Sequence, residues 1–323
     1  MQSGQVDTHM PIVVALGGNA ISRESEEGNV PQQFANTART AAHVADLVEA
    51  GRRLVVTHGN GPQVGNVLRR VELAAHEIYT MPLDVCGAHT QGGMGYMIAQ
   101  CLNNELRRRG IAQTAAALVT MVEVDRDDPE FRQPTKPVGK HYTRERAEQL
   151  QREHGWRMAE INARGFRRLV PSPRPRAIVE GELIRRLAHQ GQLLVAAGGG
   201  GVPVVCNASG ELVGVEAVVD KDRTSALLAL LIEAETLVIA TGIERVALDF
   251  GRSTERFIDQ MTRAEARRYL AEGQFPPGSM GPKIEAALAF LDATPMPGAQ
   301  VIICDLAHLR AALRGDSGTR IVP

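Results

Sequence analysis

Short aliphatic runs recur along this chain, and each is followed by glycines or a turn and then by a stretch of helical spacing. Ile12 to Leu16 precedes Gly17-Gly18-Asn19-Ala20, Arg53 to Thr57 runs into His58-Gly59-Asn60-Gly61-Pro62-Gln63, and Leu193 to Ala197 precedes Gly198 to Gly201. Strand and helix in turn demand an α/β layered fold: a mostly parallel central sheet with helices packed on it. One helix opens at Pro31 and closes at Gly51, with proline inside its start and glycine past its end. Others end at Arg109 before Gly110, run from Glu182 to Gly191, follow Asp222, and span Thr262 to Glu272 and Pro282 to Asp292. Further strands are expected at Thr114 to Thr120, Leu237 to Thr241, Val246 to Phe250 and Val301 to Cys304. The last of these leads to a helix with Asp305 as its N-cap.

Composition narrows the class. With 44% apolar and 23% charged residues and a formal charge of −1, the chain is neither disordered nor a basic nucleic-acid coat. Its 12 aromatic residues (1 Trp, 4 Tyr, 7 Phe) are too few to stack many bases, so no nucleic-acid partner is expected. No apolar run reaches the roughly 18 to 20 residues that cross a bilayer, and no signal-peptide pattern opens the chain, so no membrane partner and a cytoplasmic location are expected. Cys86, Cys101, Cys206 and Cys304 lack CxxC or Cys/His spacing, which argues against a zinc site or a disulfide framework.

Met1 to His9 reads as a polar tail, and the fold starts near Met10 as one domain through residue 323. The interval from Val124 to Arg176 breaks the rhythm. It holds six of the 17 prolines and 13 basic against 8 acidic residues, a local +5 in a chain whose remainder is −6. An inserted subdomain is expected there, either a solvated excursion or a positive lid over an anionic ligand.

In parallel sheets, ligands bind at the carboxyl ends of strands, where the three glycine-rich segments lie. Glycine lets backbone N–H groups approach an anion, and a following helix adds its positive end. Standard nucleotide motifs are absent: no GxxxxGK[ST] occurs, Gly59, Gly61 and Gly65 space as GxGxxxG, and Asp249-Phe250-Gly251 has no HRD upstream. His58 is expected to brace its loop. Lysine is the rarer signal, because 32 of the 36 basic residues are Arg and only Lys136, Lys140, Lys221 and Lys283 are Lys. A compact ammonium is not interchangeable with a planar guanidinium. Lys221 in Val219-Asp220-Lys221-Asp222 and Lys283 in Gly278-Ser279-Met280-Gly281-Pro282-Lys283 both stand at helix openings, where phosphoryl transfer between two anions needs positive donors.

These residues resemble those of carbamate kinases, in the amino acid kinase superfamily. The resemblance rests on Gly17 to Ala20, His58 to Gly65, Thr135-Lys136-Pro137-Val138-Gly139, Gly198 to Val205, Gly214 to Asp222, Gln274 to Lys283 and Gly318-Thr319-Arg320-Ile321, spanning Pro11 to Pro323. It implies a three-layer sandwich with an open sheet of eight strands. It also implies a homodimeric enzyme that interconverts ATP plus carbamate and ADP plus carbamoyl phosphate with Mg2+. The N-terminal half would bind the small substrate, and the C-terminal half, from about residue 193, the nucleotide. By motif, Gly17, Gly18, Asn19, Gly59 and Asn60 would hold carbamoyl phosphate. Lys221 and Lys283 would flank the moving phosphoryl, with Asp222 orienting them, and Lys136 would close over it from the lid. Gly199, Gly200, Thr241, Ile243, Phe275 and Met280, together with both lysines, would meet the nucleotide, and no side-chain metal ligand is implied. The chain departs from relatives that carry a lysine beside the first glycine loop: here Ala15-Leu16 precede Gly17. The alternatives are a kinase of the same fold for an acetylglutamate- or aspartate-type acid, and a non-catalytic binder of carbamoyl phosphate or ATP.

Overall fold

The computed structural model describes residues 10–23 and 26–323, so the polar stretch Met1 to His9 lies outside the described residues. Eight strands form the central sheet in the spatial order Gln260–Thr262, Thr319–Val322, Gln300–Asp305, Thr236–Thr241, Pro11–Leu16, Arg53–His58, Leu193–Val195, Ala115–Ala117. Six run parallel. Thr319–Val322 is antiparallel to Gln300–Asp305 and carries Gln260–Thr262 alongside it at the edge.

Because side chains alternate across a strand, the aliphatic runs feed two cores at once. Val13, Val55, Leu194, Leu237, Ile239, Val301 and Ile303 face one layer, which includes residues of the helices Gly181–His189, Lys221–Leu231 and Met280–Ala293. Ile12, Val14, Leu16, Leu54, Val56, Val238 and Ile302 face the other, with residues of Val30–Glu49 and Leu83–Arg108. The result is the expected three-layer arrangement. Among the described residues no helix is long and apolar enough to cross a membrane.

The sequence expectations differ from the structure at three places. Of Thr114 to Thr120 only Ala115–Ala117 joins the main sheet. The following Met121–Val124 belongs to a second sheet of order Leu212–Gly214, Val202–Cys206, Met121–Val124, Pro175–Ile178. Val246–Leu248 pairs with Arg256–Ile258 in a separate two-stranded ribbon. Asp305 is not a helix N-cap: its carboxylate accepts from the His308 amide at 2.9 Å within a turn, and the helix Leu309–Arg314 starts after that turn.

Between Val124 and Arg176 the chain leaves the main body. Strands Lys136–Tyr142, Gly165–Val170 and Arg157–Asn162 form an antiparallel sheet. Beside it packs the helix Arg144–His154, capped by Thr143 at its start and by left-handed Gly155 at its end. Tyr142, Ala147 and Leu150 form a small core there with Trp156, Met158 and Phe166. This unit sits on the helix Gln63–Ala74. Val138 and Val170 pack with Val64 and Leu68, and the Tyr142 hydroxyl donates to Glu72, 3.0 Å from either carboxylate oxygen. A side chain at Gly65 would place its Cβ 3.1 Å from Gly139 Cα, so the two backbones meet in close contact and a side chain there would have to push Gly139 aside.

Candidate active site

The strands Thr236–Thr241, Pro11–Leu16, Arg53–His58 and Leu193–Val195 are neighbours and parallel, so the loops after them converge at one end of the sheet. The Gly17 amide donates to the Ala240 carbonyl (3.1 Å) and the Gly59 amide to that of Leu16 (3.1 Å). Asn19 follows in the short turn Gly18–Ala20. The third loop interlocks with the second. A Cβ on Gly199 (φ +64°) would lie 2.6 Å from Asn60 Nδ2, and one on Gly198 would lie 2.3 Å from His58 Nε2. These loops are therefore built at a spacing that side chains would force apart.

Above them opens a cleft of about 690 Å³ lined by Gly18, Gly59, Asn60, Gly199, Lys136, Lys221 and Asp222 among others. Three helix N-termini reach the region, those of Gln63–Ala74, Lys221–Leu231 and Met280–Ala293, each an electropositive end. The helix Lys221–Leu231 is fixed in place by polar ties. Asp220 caps it by accepting from the amides of Asp222 (2.9 Å) and Arg223 (3.2 Å), and Thr224 Oγ1 donates to the Gly200 carbonyl at 2.9 Å. The Ser225 and Thr57 hydroxyls meet at 2.7 Å, locking that helix to the strand Arg53–His58.

At the inner end of the cleft Asp222, only 4% exposed, faces two ammonium groups. Lys283 Nζ donates to Oδ2 at 3.0 Å. Lys221 Nζ stands 2.9 Å from Oδ1, a second buried ion pair on the same carboxylate. Burial would raise the Asp222 pKa, but Lys221 and Lys283 reverse that and hold it at about 2. Lys136 reaches in from the inserted unit and donates to the Val219 carbonyl at 3.1 Å, 3.8 Å from Asp220 Oδ2. Burial pushes its pKa down, while Asp220 and Asp222 pull it back up.

A second cavity of about 240 Å³ adjoins this cluster through Lys283. Thr241, Ile243, Phe275 and Met280 line it, together with Ala247, Phe250, Pro276 and Ser279. Gly17 and Gly200 do not line either space. Their backbones pack instead, since a Cβ would come within 2.8 Å of the Ala240 carbonyl oxygen and 2.5 Å of the Val219 carbonyl oxygen respectively.

This architecture offers positive donors to an anion, and the comparison with known sequences decides the family. Residues 10–305 match the amino acid kinase family. The chain belongs to that family. This amino acid kinase is 42% identical over 314 residues to a carbamate kinase of Pyrococcus furiosus, covering 97% of this chain and 99% of that one. It is also 42% identical over 317 residues to a carbamate kinase of Clostridium perfringens, covering 97% and 100%. Among solved structures, carbamate kinase from Giardia lamblia bound to AMP-PNP superposes with a TM-score of 0.91 at 37% identity, over 97% of this chain and 98% of that one.

Four cleft residues escaped the sequence reading. Asp220 caps the lysine-bearing helix, Asn66 and Arg69 line the cleft from the helix under the inserted unit, and Arg167 lines it from the inserted unit itself. Asp220 was findable, because an Asp immediately before a helix opening is a capping signal.

His58 is 1% exposed and engages the Gly59 carbonyl through Nδ1 at 3.0 Å, which fits the bracing role. Burial pushes its pKa down to about 4; the bond to Gly59 opposes this and Lys221 adds to it. The unfolded chain takes up a proton near pH 6.5 and the folded chain only near pH 4, so stability present above pH 6.5 is lost as pH falls through that window. The expected loss between pH 7 and 4 is about 3 kcal/mol. Urea titrations check this: H58Q should be less acid-sensitive than wild type over that range, and equal sensitivity would refute it.

Proposed function

We propose that this amino acid kinase is a carbamate kinase, moving a phosphoryl group reversibly between ATP and carbamate. The observation that carries this reading is the buried Lys221–Asp222–Lys283 cluster where the glycine-loop cleft meets the apolar cavity. In the direction of ATP use, a carbamate oxygen attacks the γ-phosphorus, the bond to the β-phosphate oxygen breaks, and ADP leaves. Carbamate is already an anion, so the step needs no general base. It needs positive donors that follow the charge as it spreads over the equatorial oxygens.

In this reading Lys221 and Lys283 hold the transferring oxyanion from two sides, and Asp222 fixes their separation. Lys136 closes from the inserted unit, which acts as a lid. Amides of Gly18, Asn19 and Gly59 and the Asn60 side chain hold the carbamoyl end. Thr241, Ile243, Phe275 and Met280 hold the nucleoside, with Gly199 and Lys283 toward its phosphates. Gly17 and Gly200 act by letting the loops close up. Mg2+ bound to the nucleotide phosphates would supply further positive charge against the phosphoryl oxygens. The enzyme works as a homodimer.

Carbamate has no side chain, and the loops Gly17 to Ala20 and His58 to Gly65 carry no Asp, Glu, Arg or Lys. Backbone and amide donors suit a compact planar anion. With ADP, the protein should form ATP from carbamoyl phosphate, and little or none from acetylglutamyl phosphate or aspartyl phosphate under matched conditions. Comparable rates with either larger acyl phosphate would favour the other small-acid kinases of the fold. The cleft side lined by Arg69, Lys140 and Arg167 is where a longer acid would place its second carboxylate. No ATP from any of the three would leave a binding protein.

A further inference from the structure

The cations of the cleft are not all answered by anions. Asp222 faces Lys221 and Lys283, Asp220 faces Lys136, and Glu72 holds Arg69 at 3.0 Å. Arg167 and Lys140 differ. Neither has a carboxylate of the described residues within 4.0 Å. Arg167 is half-buried, and its one recorded polar contact runs from Nε to the Gly139 carbonyl at 3.1 Å. Lys140 rests over the Tyr142 ring, 4.9 Å from its centre. Both line the cleft from the inserted unit.

A half-buried guanidinium without a counter-anion is costly unless something else supplies the charge. Burial alone pushes the Arg167 pKa down. The neighbouring His141 is also pushed down, by burial and then by Arg167 and Arg164, so the local potential is positive beyond Arg167 itself. Nor is the arrangement a loose surface. The Gly139 carbonyl that orients Arg167 belongs to the residue pressed against Gly65, and the Tyr142 ring under Lys140 is pinned by its hydroxyl to Glu72. The acids nearby are engaged elsewhere: Glu72 by Arg69 and Tyr142, Glu216 by Arg168, Glu160 by Arg144.

We propose that Arg167 and Lys140 form a second oxyanion site on the lid side of the cleft, separate from the Lys221–Lys283 pair, which takes a compact phosphate or carboxylate. The planar fork of Arg167 suits two oxygens of one group, with Lys140 closing from the solvent side as a point charge. The site does not depend on which acid the enzyme phosphorylates.

The chain has one tryptophan, Trp156, and it lies in the lid under the Arg168 guanidinium, 4.4 Å from the ring centre. Its fluorescence reports on the lid without a label. Inorganic phosphate titrated into the full-length protein at low salt should change that emission saturably. R167M should raise the dissociation constant about tenfold or more, the scale of one lost charge-assisted pair, and K140M by a smaller factor. K283A should leave this titration within twofold. A parallel titration with a tricarboxylate in place of phosphate tells which source binds more tightly. Should R167M, folded by circular dichroism and thermal melting, bind phosphate within twofold of wild type, the site does not exist. Loss of the signal in K283A would place the anion at the inner cluster and equally overturn it. Because this readout needs no turnover, it can fail while ATP formation from carbamoyl phosphate succeeds, and the reverse.

Discussion

The K221R and K283A enzymes should turn over carbamoyl phosphate and ADP at least about a hundredfold more slowly than wild type, the scale of losing one preorganised donor. Arginine cannot reproduce the compact ammonium of Lys221. The lysine stem passes the Gly59 backbone, where a Cβ would lie 3.9 Å from Lys221 Cδ, and its head is buried beside Asp222. A guanidinium keeps the charge but spreads it over a plane and moves it outward. Lys283 lines the second cavity and pairs with Asp222 of the cleft, so in the proposed reading K283A removes a donor aimed at both substrates. Steady-state assays at saturating substrate check both variants, and near-normal turnover in the two together would refute the roles given to these lysines.

D222A should be the most destabilising change in the site. Removing this carboxylate leaves two ammonium groups, with side chains 11% and 17% exposed, facing each other with no counter-charge. Breaking a buried pair in this way costs about 3–5 kcal/mol. Urea denaturation of D222A and K283A side by side is the measurement. K283A should lose less, because Lys221 still answers Asp222, and an equal or smaller loss in D222A would show that the carboxylate does not hold the cluster. In the wild type the Asp222 contribution is present above pH 3.8 and disappears as pH falls through about 2, below the window of His58.

The inner cluster was readable because lysine is scarce in this chain and because both motif lysines stand at helix openings. Arg69 and Arg167 were not readable for the opposite reason. They are two of 32 arginines, and only the docking of the lid on Gly65 and Glu72 brings Arg167 toward the cleft. The long buried strands were legible from their aliphatic runs. The strand expected at Val246 to Phe250 is present over Val246–Leu248, but its pairing in a separate ribbon was not legible, and the three-residue strands Arg256–Ile258 and Gln260–Thr262 were not assigned, because segments so short take their pairing from tertiary neighbours. Asp305 illustrates another limit. Its sequence position suits a helix cap, and its carboxylate is instead used by the His308 turn.

The inserted unit leaves and re-enters the body through strands that lie side by side, Glu123 opposite Ala177 and Val124 opposite Pro175. Its two ends are thus held together by the body and not by the unit itself. Such an excursion behaves as a cassette, whose length and content can be exchanged without altering the register of the eight main strands. The phosphate-handling cluster, apart from Lys136, stays with the body, while Arg167, Lys140 and Lys136 travel with the cassette. Rewriting some fifty consecutive codons can therefore change the residues that face the cleft from this side, while the Lys221–Asp222–Lys283 cluster stays in its original frame.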